Sequence, residues 1–262
     1  MESLVDSTRW WTRAKLVKAR RKLIMARTPW VLGRIACLGR DVHKLVGGKL
    51  PLVNIQKGRV DLLLDHKKKP QLRPNTASVA PYFERRDIIP LVAQQEAFTW
   101  PLKHPPEAIF MDSFSELTDQ LFINRATDKS FCANYSDIKH TEKFSQRYEC
   151  NGLLQKEVIE TCYRAFFTAV RKDFGRIPII YLHFPIDLEK REKYQLRHKA
   201  IVDAINIVAA DFASFHLISA DAGIVHWPDS PVPEHLENFP YHYNSATYAN
   251  LAEKVKALNI SL

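Results

Sequence analysis

The amino-acid sequence predicts an α/β fold with a parallel sheet, preceded by a basic helical arm. From about residue 105 onward, short apolar runs alternate with amphipathic helical segments, as expected for strands joined by right-handed crossovers. Positive charge is concentrated in residues 1–50, which hold 12 Lys or Arg against 3 Asp or Glu. We therefore divide the chain into a basic helical arm at 1–50, an irregular or mixed segment at 51–104, for which membership of the main domain is left open, and an α/β domain at 105–262.

The arm is expected to be mainly helical. Residues 8–26 combine basic side chains with an apolar strip that includes tryptophan, which also suits a helix lying at a membrane interface. A second helix is expected at 30–46, closed by Gly47-Gly48. The segment Arg34–Gly39 fits a short buried strand equally well, because periodicity alone does not separate these two structures.

The charge of the arm indicates which partners it suits. The whole chain has a formal net charge of +9, the same as residues 1–50, so residues 51–262 balance to zero. A basic arm suits an anionic membrane surface, a nucleic acid or an acidic partner. The alternative is that its charges only form a solvated face of a helix. Since residues 51–262 show no basic stripe, we do not expect nucleic acid to be the partner.

The α/β domain begins with a strand that is easy to recognise. Ala108–Phe114 is an apolar run that ends in polar residues, which is typical of a buried parallel strand. Further strands are expected at 131–134, 177–184 and 215–220, and helices at 157–174, 188–212 and 245–258. Apolar residues recur at helical spacing in these helices, so we expect them to cover the sheet.

The composition excludes several classes of protein. Four cysteines show neither a C-x-x-C pair nor zinc spacing, so we expect free thiols, no metal and a reducing cytoplasm. The 8 glycines form no phosphate-binding loop, so we expect no nucleotide or other cofactor. We recognise no secretory signal and no run of about 18 apolar residues, and we expect a cytoplasmic protein, peripheral at most at the inner membrane face.

Polar residues follow the predicted strands at their carboxyl ends. In open parallel sheets, ligands bind outside this edge. The candidates at strand ends, together with one histidine before the last helix, are Asp112, Ser113, Asn134, His183, Asp221 and His242. We expect these residues to lie on one rim of the sheet.

Ser113 and His242 are the minimum pair for nucleophilic catalysis. A serine hydroxyl needs an adjacent base, and histidine is the best-tuned base near neutral pH. The backbone N–H of Ser113, with Asn134 and His183, would stabilise the developing oxyanion. The carboxylate that would orient the imidazole is left open among Asp221, Asp229 and Glu237.

Each of these residues also has a structural interpretation. Ser113 and Ser115 suit the cap of the helix that follows them, where serine is favoured. His183 fits a histidine satisfied near the core, and Asp221 fits a turn. Asp112 is an accessory candidate, because it directly precedes the candidate nucleophile.

Two short blocks of the α/β domain match a known pattern. Met111-Asp112-Ser113 looks like a Gly-Asp-Ser block with Met in place of Gly, and Asn238–His242 looks like an Asp-x-x-His block before a C-terminal helix. Residues 105–258 thereby resemble the SGNH (GDSL-like) hydrolase superfamily. The resemblance implies a flavodoxin-like three-layer α/β/α sandwich, with Ser113 as nucleophile and His242 as base.

The chain departs from that pattern in three places. Phe239 stands where the family has its triad Asp, and Leu182–Pro185 stands where its oxyanion block is expected. Ser113 and His242 are also 129 residues apart, which is short for the full set of strands.

The blocks of the family can therefore also be aligned with this sequence in a second way. In this second registration the first strand would be Arg34–Gly39, with Ala36 or Cys37 at the nucleophile position and Met111–Glu116 as the third-block strand. On this registration the protein is catalytically degenerate or uses another residue.

Three further segments resemble SGNH-like proteins of bacterial capsule and surface-polysaccharide loci. They read DSFSELTDQ, FCANYSDI and HFPIDLEKREKYQLR. The resemblance implies a serine esterase or O-acyltransferase that acts on a carbohydrate or an acylated glycan. The alternative is a catalytically degenerate binding protein of a polysaccharide-biosynthesis assembly, anchored by its basic arm.

Overall fold

The computed structural model describes residues 4–27, 29–100, 104–229 and 240–262. Its strands are β1 (Val31–Arg34), β2 (Leu52–Asn54), β3 (Ala108–Asp112), β4 (Asp119–Asn124), β5 (Ser130–Asn134), β6 (Tyr148–Gly152), β7 (Ile179–Leu182) and β8 (Phe215–Ile218). Its α-helices are α1 (Leu4–Arg27), α2 (Cys37–Val46), α3 (Val60–Lys68), α4 (Thr76–Val79), α5 (Ile89–Ala97), α6 (Phe114–Thr118), α7 (Glu142–Arg147), α8 (Ile159–Phe174), α9 (Glu192–Ala210) and α10 (Ser245–Lys256).

The main sheet is parallel, with the strand order β2-β1-β3-β7-β8, which is the flavodoxin-like order. Every residue of β1, β3 and β7 is buried, as expected for central strands covered on both faces. The helices pack in two groups, α2 with α10, and α8 with α3 and α9. Right-handed crossovers place these groups on opposite faces of the sheet, and the predicted α/β/α sandwich is confirmed.

The sheet begins much earlier in the chain than we expected. The segment predicted as one helix at 30–46 contains β1 and then α2, which ends at Gly47 in the left-handed conformation (φ 76°). β2 follows at once, so residues 31–54 supply two strands of the sheet. The α/β unit that we placed at 105–262 therefore includes much of the predicted arm, and the arm proper is reduced to α1.

A second, antiparallel sheet interrupts the α/β pattern between β3 and α8. Its order is β5-β4-β6. The strand expected at 131–134 is present as β5, but it pairs with β4 rather than joining the parallel sheet. An aromatic core lies beneath this second sheet, separate from the main core, and includes Phe83, Phe122 and Phe131.

The remaining expectations for the α/β half are confirmed. The strands β7 and β8 and the helices α8, α9 and α10 lie within the predicted bounds, with ends shorter by a few residues. Residues 51–104 are more regular than predicted, since they contain β2, α3, α4 and α5.

A buried ion pair joins the carboxyl ends of β1 and β3. Arg34 Nη1 donates to both carboxylate oxygens of Glu116, at 2.8 and 2.7 Å, and Arg34 Nη2 donates to the carbonyl of Asp112 at 2.8 Å. Glu116 also accepts the backbone N–H of Val60 and the hydroxyl of Tyr163. Both charged side chains are almost completely buried, so each depends on the opposite charge of the other to offset the cost of leaving water.

Replacing Glu116 by Ala is expected to lower the free energy of unfolding by about 3–5 kcal/mol, because it leaves the guanidinium of Arg34 buried without its counter-charge. Urea denaturation of the two proteins measures the difference. Glu149→Ala is the matched control: Glu149 pairs with Arg125 at 3.2 Å on the surface, and losing such an exposed pair should have no measurable effect. Equal midpoints for the Glu116→Ala variant and the wild type would contradict the structural role of the buried pair.

Candidate functional site

A cavity of about 380 Å³ opens beside the carboxyl ends of β1, β2 and β3. The chain leaves β1 toward β2 on one side and enters β3 on the other, so this is the switch point of the sheet, where ligands bind in α/β folds. The residues that line the cavity are Ala36, Cys37, Gln56, Lys57, Arg85, Asp87, Ile88, Leu91, Phe114, Asn134, Ser136, Asp137 and His242.

Cys37 contributes a thiol to this cavity lining. It is the first residue of α2, immediately after the turn that leaves β1, and its side chain is half-buried. Its Sγ lies 4.0 Å from the carbonyl oxygen of Tyr241, the residue before His242. The end of β1 and the loop that precedes α10 therefore meet at this thiol.

Asp112 anchors the turn that carries Cys37. Its Oδ2 accepts the backbone N–H of Ala36 at 2.6 Å, and its Oδ1 accepts that of Phe114 at 3.2 Å. Burial raises the pKa of Asp112 to about 7, although these two hydrogen bonds and Arg34 oppose the shift. Asp112, which sequence reasoning proposed as an accessory group, thus links the turns after β1 and β3.

The thiol and the imidazole at this cavity are both electrically neutral at neutral pH. Burial raises the pKa of Cys37 to about 11, and the nearby charge of Asp112 raises it further. Burial lowers the pKa of His242 below its ordinary value, which favours the uncharged imidazole. A neutral imidazole can accept a proton, so this histidine is in the protonation state that a general base requires.

Aromatic packing holds the loop of His242 against the end of β7. The hydroxyl of Tyr241 donates to Glu189 Oε2 at 2.7 Å, and that of Tyr243 donates to the carbonyl of Pro185 at 2.8 Å. The ring of Tyr241 also packs edge-on against Phe114, with centroids 5.7 Å apart. Both neighbours of His242 are therefore anchored, which limits the positions open to its side chain.

The opposite wall of the cavity is polar and comes partly from the second sheet. Lys57 Nζ lies 3.2 Å from Asp119 and 2.9 Å from Asp137, and all three side chains are buried. Burial alone would lower the pKa of Lys57, but the charges of both aspartates outweigh it and raise this pKa. The half-exposed Arg85 also pairs with Asp137, so this wall offers ionic groups as well as amide and hydroxyl groups.

The Ser113 side chain lies outside the cavity lining. It is fully buried (0 % exposed), and its Oγ accepts the backbone N–H of Phe184 at 2.9 Å. The cap that we considered for the serines is not formed either: Ser113 makes no side-chain cap, and Ser115 Oγ donates to the carbonyl of Gln56. This geometry gives Ser113 a role in joining β3 to the end of β7, and its pairing with His242 stays a prediction.

Of the two candidates for an accessory role, Asn134 lines the cavity and His183 does not. Asn134 lies at the end of β5 and lines the cavity, which keeps it available for hydrogen bonding to a ligand. His183 is buried after β7 and is not among the lining residues. Burial lowers the pKa of His183 to about 4, and the neighbouring His198 contributes to this shift. It therefore fits the near-core histidine that we considered.

Asp221 and Asp229, two of the carboxylate candidates, bind other groups in the described structure. Asp221 is exposed and forms an ion pair with Lys254 on α10 at 2.6 Å. Asp229 accepts the backbone N–H and the hydroxyl of Ser245, at the start of the same helix. Glu237 lies outside the described residues, as do Asn238 and Phe239 of the second block.

The second registration of the sequence pattern could have indicated Cys37. It placed the first strand near Arg34 and its nucleophile at Ala36 or Cys37, and both residues line the cavity after β1. Nothing in the sequence pattern singled out Lys57, Arg85 or Asp137, because they reach the cavity only when the second sheet folds against the main sheet.

Two kinds of feature are absent from the described residues. No group of three or more His, Cys, Asp or Glu side chains is placed to hold a metal ion there. No helix in those ranges has the length and apolar character needed to span a bilayer.

Comparison with known proteins shows a distant structural similarity. No family model and no curated protein matches the chain. Among solved structures, the chain is similar to an acetyl xylan esterase from the rumen bacterium Butyrivibrio proteoclasticus, with 12% sequence identity and a TM-score of 0.38. The match covers 88% of this chain and 62% of the other, so this chain spans less than two thirds of that protein. A similarity at this level carries no argument about the site.

The raised pKa of Asp112 predicts a specific dependence of stability on pH. The folded protein holds this proton more tightly than the unfolded chain, so the contribution is fully present below about pH 4 and is lost as pH rises through about 7. The difference in unfolding free energy between wild type and Asp112→Asn should therefore fall by up to about 4 kcal/mol over that range. Urea titrations at several pH values measure it.

Asp229→Asn serves as the control for this experiment. Hydrogen bonds from Ser245 lower the pKa of Asp229, so any pH-dependent difference should have the opposite sign, with stability lost as pH falls. A difference between wild type and Asp112→Asn that stays constant from pH 4 to 8 would contradict the raised pKa.

Proposed function

We propose that the protein is an acyl-ester hydrolase or acyltransferase in which Cys37 is the nucleophile and His242 the general base. The observation that carries this proposal is that both residues line one cavity at the switch point of the sheet, whereas the hydroxyl of Ser113 is buried and bonded elsewhere. The class of reaction is the one that the SGNH resemblance implies. The proposed nucleophile, however, lies after β1 and not after β3.

The proposed reaction has two steps. His242 accepts the thiol proton as Cys37 Sγ bonds to the ester carbonyl carbon; the carbon–oxygen bond then breaks and the leaving oxygen takes that proton. A thioester remains on Cys37. Water or a second hydroxyl gives its proton to His242 and attacks the thioester; the carbon–sulfur bond breaks and the proton returns to the thiol. When water attacks, the ester is hydrolysed; when a second hydroxyl attacks, the acyl group is transferred to it.

The start of α2 suits the oxyanion that forms in both steps. The first amides of a helix have no carbonyl partner within that helix, and they carry partial positive charge. Cys37 is the first residue of α2. When its sulfur is bonded to the acyl carbon, the negatively charged oxygen on that carbon therefore lies near these amides. The carboxamide of Asn134, across the cavity, is a further candidate donor.

The polar wall suits a hydroxyl-rich acceptor, and we propose a carbohydrate. Gln56, Asn134 and Ser136 offer both donors and acceptors, while Arg85 and Asp87 add charged ones. The apolar lining groups Ile88, Leu91 and Phe114 suit the acyl chain. A cavity of about 380 Å³ is in the range of small-molecule sites.

A binding protein without catalysis is the second candidate. The observation that favours it is the pKa of Cys37, which at about 11 keeps the thiol protonated in the resting protein. In this case the polar wall would bind the glycan and no acyl group would be transferred.

Replacing Cys37 by Ala and, separately, His242 by Ala is expected to lower the hydrolysis of p-nitrophenyl acetate at least 100-fold, because each change removes one member of the reacting pair. Cys150→Ala is the matched control, since Cys150 is an exposed thiol on β6 and should keep full activity. Mass spectrometry of the acetylated intermediate should locate the acetyl group on Cys37.

Ser113→Ala separates the two candidate nucleophiles. It should reduce stability, because the N–H of Phe184 loses its buried acceptor, yet the folded fraction should retain hydrolysis. Full activity in Cys37→Ala, with loss in folded Ser113→Ala, would refute the cysteine mechanism. A wild type that binds acetylated sugars without turnover would favour the binding protein.

A further inference from the structure

Among the described side chains of α1, those that pack against the rest of the protein lie on one face of the helix. Ala14 is buried, and Trp10 and Trp11 pack against the second hydrophobic core. Arg21 donates to the carbonyl of Gln94 on α5 at 2.6 Å and is buried. Both tryptophans therefore belong to the attached face, and they are not the membrane-facing residues that the sequence suggested.

The opposite face of α1 exposes large aliphatic side chains. Leu16 is 62 % exposed and Leu23 is 55 % exposed. A separation of seven residues places them on the same side of a helix, two turns apart, with the exposed Ala19 between them. These three residues form the outer apolar stripe of α1, and nothing in the described structure covers it.

Basic side chains flank the outer apolar stripe. Lys15 and Arg20 are exposed on α1, and Lys18 is partly exposed beside them. Beside the helix, a groove of about 540 Å³ is lined by Lys15, Lys18 and Ala19 and also by Arg73 from the segment after α3. Glu96 is the acidic residue of this groove lining, and its carboxylate lies 2.7 Å from Lys18 Nζ.

From this arrangement we propose that α1 docks the protein on an anionic membrane surface, lying in the plane of the interface. Aliphatic side chains flanked by cations are the composition of an interfacial helix, in which the apolar groups enter the headgroup region and the cations meet the lipid phosphates. The charge is complementary to such a surface, since α1 contains 8 Lys or Arg against 1 Asp.

The same surface is a poor match for nucleic acid. Docking on a phosphate backbone would leave Leu16 and Leu23 against a charged, hydrated partner, with no gain from their burial. Residues 51–262 also have no net charge, so the excess positive charge of the chain lies in its first 50 residues. Binding to nucleic acid is therefore an outcome that the experiment must distinguish.

Sedimentation of the full chain with vesicles tests the proposal. The wild type should bind vesicles of phosphatidylcholine with 30% phosphatidylserine, and should bind pure phosphatidylcholine vesicles at least 10-fold more weakly. Lys15→Gln with Arg20→Gln should lower the partition coefficient about 30-fold, since each basic residue near an anionic surface contributes about fivefold. Leu16→Ser with Leu23→Ser should also weaken binding at least 10-fold.

Two controls make the result specific to α1. Lys190→Gln with Lys256→Gln removes the same charge from exposed positions on other elements and should leave binding within about twofold of the wild type. Circular dichroism checks that every variant is folded.

Three outcomes would overturn the proposal. They are a wild type that does not bind the anionic vesicles, α1 variants that bind as well as the wild type, and equal losses in the α1 and control pairs. Binding to duplex DNA without binding to vesicles would assign the helix to nucleic acid instead. None of these outcomes depends on the ester chemistry, so this proposal and the proposed function can fail independently.

Discussion

The buried pair of Arg34 and Glu116 is the interaction on which the geometry of the cavity depends. Arg34 ends β1, and Glu116 lies in the helical turn directly after β3, so the pair joins the two strands that flank the switch point. Its second guanidinium nitrogen holds the carbonyl of Asp112, and the Asp112 carboxylate holds the N–H of Ala36. Cys37 is the next residue, so its position follows from this chain of contacts.

The burial that fixes this arrangement also determines the electrostatics of the site. A desolvated thiol with a carboxylate nearby resists ionisation, and the same desolvation keeps His242 uncharged. A nucleophile of this kind gains reactivity only when a base removes its proton during attack, in contrast to a thiolate held beside a permanent cation. The mechanism that we propose therefore needs the imidazole within reach of the thiol when substrate is bound.

The sequence predicted the layered fold and most elements of the α/β half because buried parallel strands and amphipathic helices have distinct periodicities. It misassigned the start of the domain, because β1 is only four residues long and is followed almost at once by α2. The sequence favoured Ser113 over Cys37 because Met111-Asp112-Ser113 matched the expected block, whereas β1 entered only through the alternative strand at Arg34–Gly39; which of the two is the nucleophile stays a prediction. Burial of the Ser113 hydroxyl against Phe184 depends on β7, and a local pattern cannot show it.

The polar wall could not be predicted for a different reason, since it forms only where two cores meet. Lys57 follows β2 of the main sheet, whereas Asp119 begins β4 and Asp137 follows β5 of the second sheet. A buried cation that loses a partner costs several kcal/mol, so this triad holds the two cores in one relative position. The cavity walls are then in place before a ligand arrives, which lowers the ordering cost of binding. Of the groups proposed for binding the acceptor, Asn134 ends β5 and Ser136 follows it, whereas Cys37 and His242 lie at the ends of elements that pack on the main sheet. Changes at Asn134 or Ser136 are therefore expected to affect the choice of acceptor more than the positions of Cys37 and His242.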